Sequence, residues 1–248
     1  MLRANALALS YGATPILEGV SLEVPSGKFV SLIGPSGSGK STLLRAIIGL
    51  QAPSSGTIET DVLSGDIGML FQDDALLPWR TAEENVALGL RLKGVDKGTA
   101  IASARLWLTR LGLHGLSERF PRQLSGGQRK RVALAQVLAR EPRLLLMDEP
   151  FASLDAIVRA RVTQDLLRLV ESRGISVLLV THDLEEALAL SDVVYLLSQG
   201  PRARISGRYD VPLPRPRDPI RARAHPDFAP LLQRLWNDLS REVGGRAA

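Results

Sequence analysis

The sequence predicts an α/β fold. Five short apolar runs read as strands buried on both faces. Helical periodicity fills most of the gaps between them, and the first of these runs leads straight into the glycine-rich pattern "GPSGSGKST". Apolar runs without alternation fit a parallel sheet covered by helices, and strands alternating with helices fit an α/β domain.

Near the N-terminus, "ANALALS" and "VSLEV" alternate apolar and polar residues and are joined by Gly and Pro turns, so antiparallel strands are expected there. The five unbroken runs are "KFVSLIG" (28–34), "DIGMLFQ" (66–72), "RLLLMDE" (143–149), "ISVLLVTHD" (175–183) and "VVYLLSQG" (193–200). In "KSTLLRAIIGL", Leu43, Ile47 and Leu50 share a helical face, with Gly49 weakening its end. "QRKRVALAQVLAR" puts Val132, Ala135 and Ala139 together, with Leu134 and Leu138 alongside. "DLEEALAL" opens with Asp183 and has Glu186 three residues on, a capping pattern. Between roughly Ala75 and Arg129 the alternation fails: "TAEENVALGLRLKG" and "TAIASARLWLTRLGL" are helical, with no strong strand between them, so a helical insertion (about 75–130) is expected. The main domain is assigned to 1–207. Residues 208–248 are read as a proline- and arginine-rich connector, "RYDVPLPRPRDP", followed by an amphipathic helix with Phe228, Leu232, Leu235 and Leu239 in one stripe. Pro230 fits that helix only in its first turn.

Composition narrows the class. A chain of 248 residues with 45% hydrophobic and 23% charged side chains is ordinary for a globular protein. Zero cysteines exclude disulfides and cysteine-based zinc or redox sites, which suits a reducing compartment. No signal-peptide core and no run near ~18 apolar residues is present, so membrane association is expected only through a partner or a surface. The net charge of +5 resides in the residues from Pro201 onward, with ten arginines against five acids. Those arginines are scattered and aromatics are few, which favours a solvated face over a nucleic-acid or anionic-lipid surface.

The motifs carry the chemistry. "GPSGSGKST" fits G-x-x-x-x-G-K-[ST] between a strand and a helix. Gly34, Gly37 and Gly39 let backbone N–H groups curl around phosphate oxygens, and the helix N-terminus adds positive charge. Lys40 is placed for the β- and γ-phosphates and Ser41 for Mg²⁺. Pro35, Ser36, Ser38 and Thr42 complete the candidate ATP-binding loop. Asp148 ends an apolar strand and can hold Mg²⁺, while adjacent Glu149 can orient or deprotonate a water. In "LSGGQRKR", Ser125, Gly126 and Gly127 open a helix with free N–H groups, a second phosphate receptor.

The phosphate loop, "LSGGQ", "LLLMDEP", "SLD" and "THD", in this order, resemble an ATP-binding-cassette ATPase over roughly residues 2–200. The resemblance implies a P-loop NTPase cassette: a RecA-like core, an N-terminal antiparallel β-subdomain and a helical subdomain insertion. It implies ATP and Mg²⁺ as cofactors and a head-to-tail homodimer, in which Leu124, Ser125, Gly126, Gly127 and Gln128 close over ATP held by the partner copy. By the same resemblance Tyr11 stacks on adenine, with plain packing as its alternative. Gln72 contacts Mg²⁺ and the attacking water, Asp155 communicates across the dimer, and His182 contacts the γ-phosphate. The other two histidines, His114 and His225, match nothing.

The stretch "FQDDALLPW" raises a separate expectation. In transporter cassettes the surface beside the glutamine receives a short helix of an integral membrane permease, so Leu76, Leu77 and Trp79 are candidate permease contacts, burial within the cassette being the alternative. "ALLPW" and "RPRDP" at Arg215–Pro219 are similar to importer ATPases of the nitrate, sulfonate and taurine type. The implied protein is peripheral, on the cytoplasmic face of the inner or plasma membrane, and is served indirectly by a solute-binding protein. Two features depart from that pattern: only fourteen residues separate Gly56 from Phe71, and Gln136 stands where arginine is frequent. The alternatives are a lipid or lipoprotein extraction ATPase, a soluble non-transport cassette, or a nucleotide-binding regulator. Intact Lys40, Glu149 and His182 count against the last.

Overall fold

A computed structural model describes residues 1–152 and 154–244. Two sheets organise it. The strands β1 (Leu2–Tyr11) and β2 (Thr14–Val24) form an antiparallel hairpin. β3 (Phe29–Ile33) and helix α1 (Lys40–Ile47) follow, then β4 (Ser55–Thr60) and β5 (Ile67–Leu70). The chain continues through α2 (Ala82–Leu92), α3 (Lys97–Arg110), α4 (Gly126–Leu138), β6 (Leu144–Asp148), α5 (Ala156–Arg173), β7 (Ser176–Val180), α6 (Leu184–Leu190) and β8 (Val193–Leu197). It ends with β9 (Ile205–Asp210), α7 (Pro219–Ala222) and α8 (Phe228–Gly244).

The small sheet has the order β2-β1-β4 and is antiparallel. The large sheet runs β5-β6-β7-β3-β8-β9, parallel except for the edge pair β8–β9. Strands β3, β6 and β7 are buried at every position, which is why their sequences show no alternation. One core packs the large sheet against α2, α3, α4 and α5 through Val86, Leu108, Leu134 and Leu166; another packs it against the small sheet and α1 through Leu7, Leu9, Leu43 and Leu44.

Two sequence expectations change. Leu50 lies beyond the end of α1 and is exposed, because the chain turns at Gly49 with φ +78. The expected domain change at 207 falls inside β9, whose Tyr209 pairs with Val194 of β8, so the connector begins after Asp210. That connector is not loosely tethered. Arg215 and Arg217 both reach Asp192, Arg217 is only 6% exposed, and its backbone N–H donates to Glu171 Oε1 at 3.0 Å. The short link between Gly56 and Phe71 holds most of the largely exposed β4 and a 3₁₀ turn at Ser64–Asp66 leading directly into β5.

The C-terminal helix docks by the stripe read from sequence. Phe228 and Leu235 are buried and Leu232 and Leu239 pack beside them, with Pro230 as the third residue of α8. Tyr209 donates its hydroxyl proton to Asp238 Oδ2 at 2.7 Å, and Arg223 pairs with Glu185 at 3.1 Å, fastening the segment to β9 and α6. No helix among the described residues is long and apolar enough to cross a membrane.

Candidate active site

Four candidate groups leave the C-terminal ends of adjacent parallel strands, where α/β sheets present their ligands. Gln72 follows β5, Asp148 ends β6 with Glu149 just after it, His182 follows β7 and the phosphate loop follows β3. Because those strands are neighbours in the order β5-β6-β7-β3, residues separated by over a hundred positions share one edge.

The phosphate loop is shaped by the protein packed beneath it. A Cβ at Gly34 would lie 2.6 Å from Leu197 O, and one at Gly39, with φ +98, would lie 2.7 Å from both Ile16 Cγ2 and Leu17 Cδ2. Gly34 is therefore required by close approach of the backbone at Leu197, and Gly39 by its positive φ, in addition to any need to admit a phosphate. Lys40 is buried, and its Nζ donates to Gly34 O (2.9 Å) and Pro35 O (2.8 Å). Burial lowers its pKa, opposed by the carboxylates of Glu149 and Asp148. The ammonium thus bridges the rim of its own loop, facing the acids. The Ser38 hydroxyl is fully buried with no partner, while Pro35, Ser36 and Gly37 form the outer rim and Thr42 is buried in the first turn of α1.

Asp148 is almost fully buried. Burial pushes its carboxyl up, the Ser41 hydroxyl acts the other way, and Glu149 adds to the rise. Lys40 and Arg45 only partly offset that burial, and an oxygen-only donor set suits a hard divalent cation. Ser41 and Asp148 therefore fit Mg²⁺. Gln72 is exposed, and its backbone carbonyl, rather than its amide, is what the structure fixes.

Glu149 takes φ +46, left-handed for a non-glycine residue. Such a conformation costs on the order of 1–3 kcal/mol and persists only where the surroundings hold it. Here its N–H donates to Val180 O at 2.9 Å. The carboxylate then lies 3.1 Å from His182 Nδ1, with the imidazole largely exposed. A half-buried carboxylate beside an accessible imidazole, at the mouth of a phosphate-binding loop, can order a water and hold its proton.

The "LSGGQ" segment is built as a helix start. Ser125 is the N-cap of α4: its hydroxyl accepts from Gln128 N (3.2 Å), and Gln128 Oε1 accepts from Ser125 N (2.8 Å). This reciprocal capping box leaves the Ser125 hydroxyl proton free to donate outward beside the N–H groups of Gly126 and Gly127. Leu124, by contrast, is buried. Asp155 caps α5 by accepting from Val158 N at 3.0 Å; Ser153 of the same motif lies outside the described residues. Tyr11 is half-exposed, and its hydroxyl accepts from Arg45 at 3.4 Å.

The loop after Gln72 divides the three expected contacts. Leu76 packs against the core and Leu77 is half-buried, whereas Trp79 is 70% exposed. Asn85 is buried and organises this turn: it accepts from Leu77 N (2.7 Å) and donates to the carbonyls of Leu77, Arg80 and Thr81. Next to the loop lies a groove of about 210 Å³ that includes Phe71, Asp74, Leu88, Leu92 and Gln136. Leu92, 81% exposed at the end of α2, is an apolar residue there that sequence reasoning does not reach. Neither Asn85 nor the buried Lys130 carries a local sequence signal, because their partners are backbone groups of a loop.

The sequence matches the family described as ABC transporter over residues 17–152. The taurine import ATP-binding protein TauB of Yersinia pestis bv. Antiqua is 45% identical over 206 residues, covering 81% of each chain. The aliphatic sulfonates import ATP-binding protein SsuB 2 of Agrobacterium fabrum is 43% identical over 244 residues, covering 96% of this chain and 88% of that one. Among solved structures, the ATP-binding cassette MJ0796, as a post-hydrolysis dimer bound to ADP and Pi, aligns with a TM-score of 0.79 at 32% identity, over 85% of this chain and 99% of that chain. With the phosphate loop, the paired acids and the "LSGGQ" helix start placed as described, this chain belongs to the ABC transporter family.

Proposed function

We propose that this chain is the ATP-hydrolysing, energy-coupling subunit of an importer for a small organic anion of the taurine or aliphatic sulfonate kind. The single observation that carries this reading is identity of 43–45% along most of the chain to import ATP-binding proteins for those solutes. Two copies associate head to tail. Each phosphate loop, Gly34–Thr42, binds one ATP, and the Leu124–Gln128 turn of the other copy closes over it. Tyr11 lies against the base and Asp155 spans the interface. The exposed capping turn at Ser125, at the N-terminal end of α4, supports this arrangement.

Ser41 and Asp148, with Gln72, would hold Mg²⁺, which would supply charge neutralisation on the triphosphate. Glu149 orients the water and accepts its proton, His182 contacts the γ-phosphate while steadying Glu149, and Lys40 leaves the Gly34 and Pro35 carbonyls for the phosphates. The groove beside Gln72, with Leu92 and Trp79 exposed nearby, supports docking of a cytoplasmic helix from a separate permease. A solute-binding protein delivers cargo on the far side, and the chain sits peripherally at the cytoplasmic face. Lipid extraction and soluble non-transport roles gain no support from these relatives.

The test is genetic and biochemical together. Deletion of the gene should abolish growth on taurine or alkanesulfonates as sole sulfur source while leaving growth on sulfate intact, and the tagged protein should copurify with an integral membrane subunit. Unchanged growth on every sulfonate would refute the solute class, and purification without a membrane partner would refute the transport role.

A further inference from the structure

The first turns of α4 are tied to the Gln72 loop at two points. Lys130 is 3% exposed, and its Nζ donates to Phe71 O (2.9 Å) and Gln72 O (2.8 Å). One residue earlier, Arg129 places Nε 3.2 Å from Asp74 Oδ2, while its Nη1 donates to Leu124 O at 2.9 Å. The same helix begins at Ser125, five residues before Lys130. The outward-facing capping turn and the Gln72 loop are thus cross-linked through consecutive side chains.

A lysine is an expensive choice for this position. An apolar side chain of similar length would fill the space without removing a charge from water. Burial indeed lowers the lysine's pKa, with Asp74, Asp148, Asp73 and Glu149 acting in the opposite direction. What the ammonium adds is geometry. Gripping two successive carbonyls fixes the orientation of the Phe71–Gln72 peptide, and with it the direction in which the Gln72 side chain leaves the backbone. The Gln72 amide is exposed and makes no side-chain hydrogen bond among the described residues that would set that direction.

We propose that Lys130 is a positioning residue for Gln72, and that with Arg129 and Asp74 it forms a latch joining the Gln72 loop to the Ser125 turn. This rests on the reading of Gln72 as a contact for Mg²⁺ and the attacking water.

The experiment is a double-mutant cycle on ATP turnover with Lys130→Met, Gln72→Ala and the pair. Lys130→Met should lower kcat by about ten- to a hundredfold, the scale of a misplaced catalytic group. KM and the affinity for a fluorescent ATP analogue should stay within about twofold, since the phosphate loop is untouched, and Lys130→Arg should restore part of kcat. In the Gln72→Ala background, Lys130→Met should cost nothing further. Losses that multiply, or an unchanged kcat in Lys130→Met, overturn the latch. Should Lys130→Met fail to fold, Asp74→Asn cuts the other arm, and its loss should likewise vanish in the Gln72→Ala background. A Gln72→Ala variant with full kcat would instead refute the Gln72 assignment, and the latch with it.

Discussion

His182 Nδ1 lies 3.1 Å from Glu149 Oε1, although the two residues leave different strands 33 positions apart. The contact depends on β6 and β7 being neighbours and on the left-handed backbone of Glu149, locked to Val180. If Glu149 accepts the proton of the attacking water, Glu149→Gln should lower kcat by about 10²–10⁴, the usual contribution of a general base. ATP should still bind, and a stable ATP-containing dimer should accumulate on gel filtration. His182→Ala should also lose turnover while keeping nucleotide affinity. Normal steady-state turnover by Glu149→Gln would remove Glu149 from the mechanism.

Lys40 contributes differently, because its ammonium already sits among the loop carbonyls. Lys40→Ala should weaken ATP binding by about 10–100-fold, the worth of one charge-assisted hydrogen bond. Equilibrium titration with a fluorescent nucleotide measures this directly. An affinity equal to that of the native chain would mean that the lysine stays on Gly34 and Pro35 when nucleotide binds.

The part of the site readable from sequence is the part made by local backbone geometry. Gly34 is demanded by close approach to Leu197 O and Gly39 by its positive φ, and the Ser125–Gln128 box follows from Ser-x-x-Gln spacing. Strands β3, β6 and β7 announced themselves because both their faces are covered. Strand β9 did not. "ISGRYD" is a half-exposed edge strand with no apolar run, and only its pairing with β8 defines it. Asn85, Lys130 and Arg217 are equally silent, since each is a polar side chain whose burial depends on partners supplied by the tertiary fold.

Trp79 separates coupling from catalysis. It is 70% exposed and lies outside the hydrophobic core, so Trp79→Ala should leave the ATPase activity and the Tm of the isolated protein unchanged. Copurification of the permease or uptake of solute should fall. A parallel drop in ATPase activity and Tm would make Trp79 a structural residue instead.

Glu186 gives the fold a pH dependence. Burial pushes its carboxyl up to about 7, against the Thr181 hydroxyl. Between the ordinary value of 4.5 and about 7, the folded chain holds a proton that the unfolded chain has released. Folding therefore takes up a proton, and this contribution to stability falls as pH rises through that window, then levels off. Thermal melts of the native chain and Glu186→Gln should diverge by a few degrees as pH is raised from about 5.5 to about 7.5, the variant losing less. Parallel curves would show that Glu186 ionises freely in the folded state.

The central claim is that each reaction centre is assembled from two copies, and Ser125→Arg tests it most directly. The substitution places a bulky cation on the exposed capping turn and leaves every residue of Gly34–Thr42 unchanged. ATP affinity should stay within about twofold of the native chain, as expected for a site whose own contacts are intact, while steady-state hydrolysis is lost. Native-rate hydrolysis by the purified Ser125→Arg protein would contradict it.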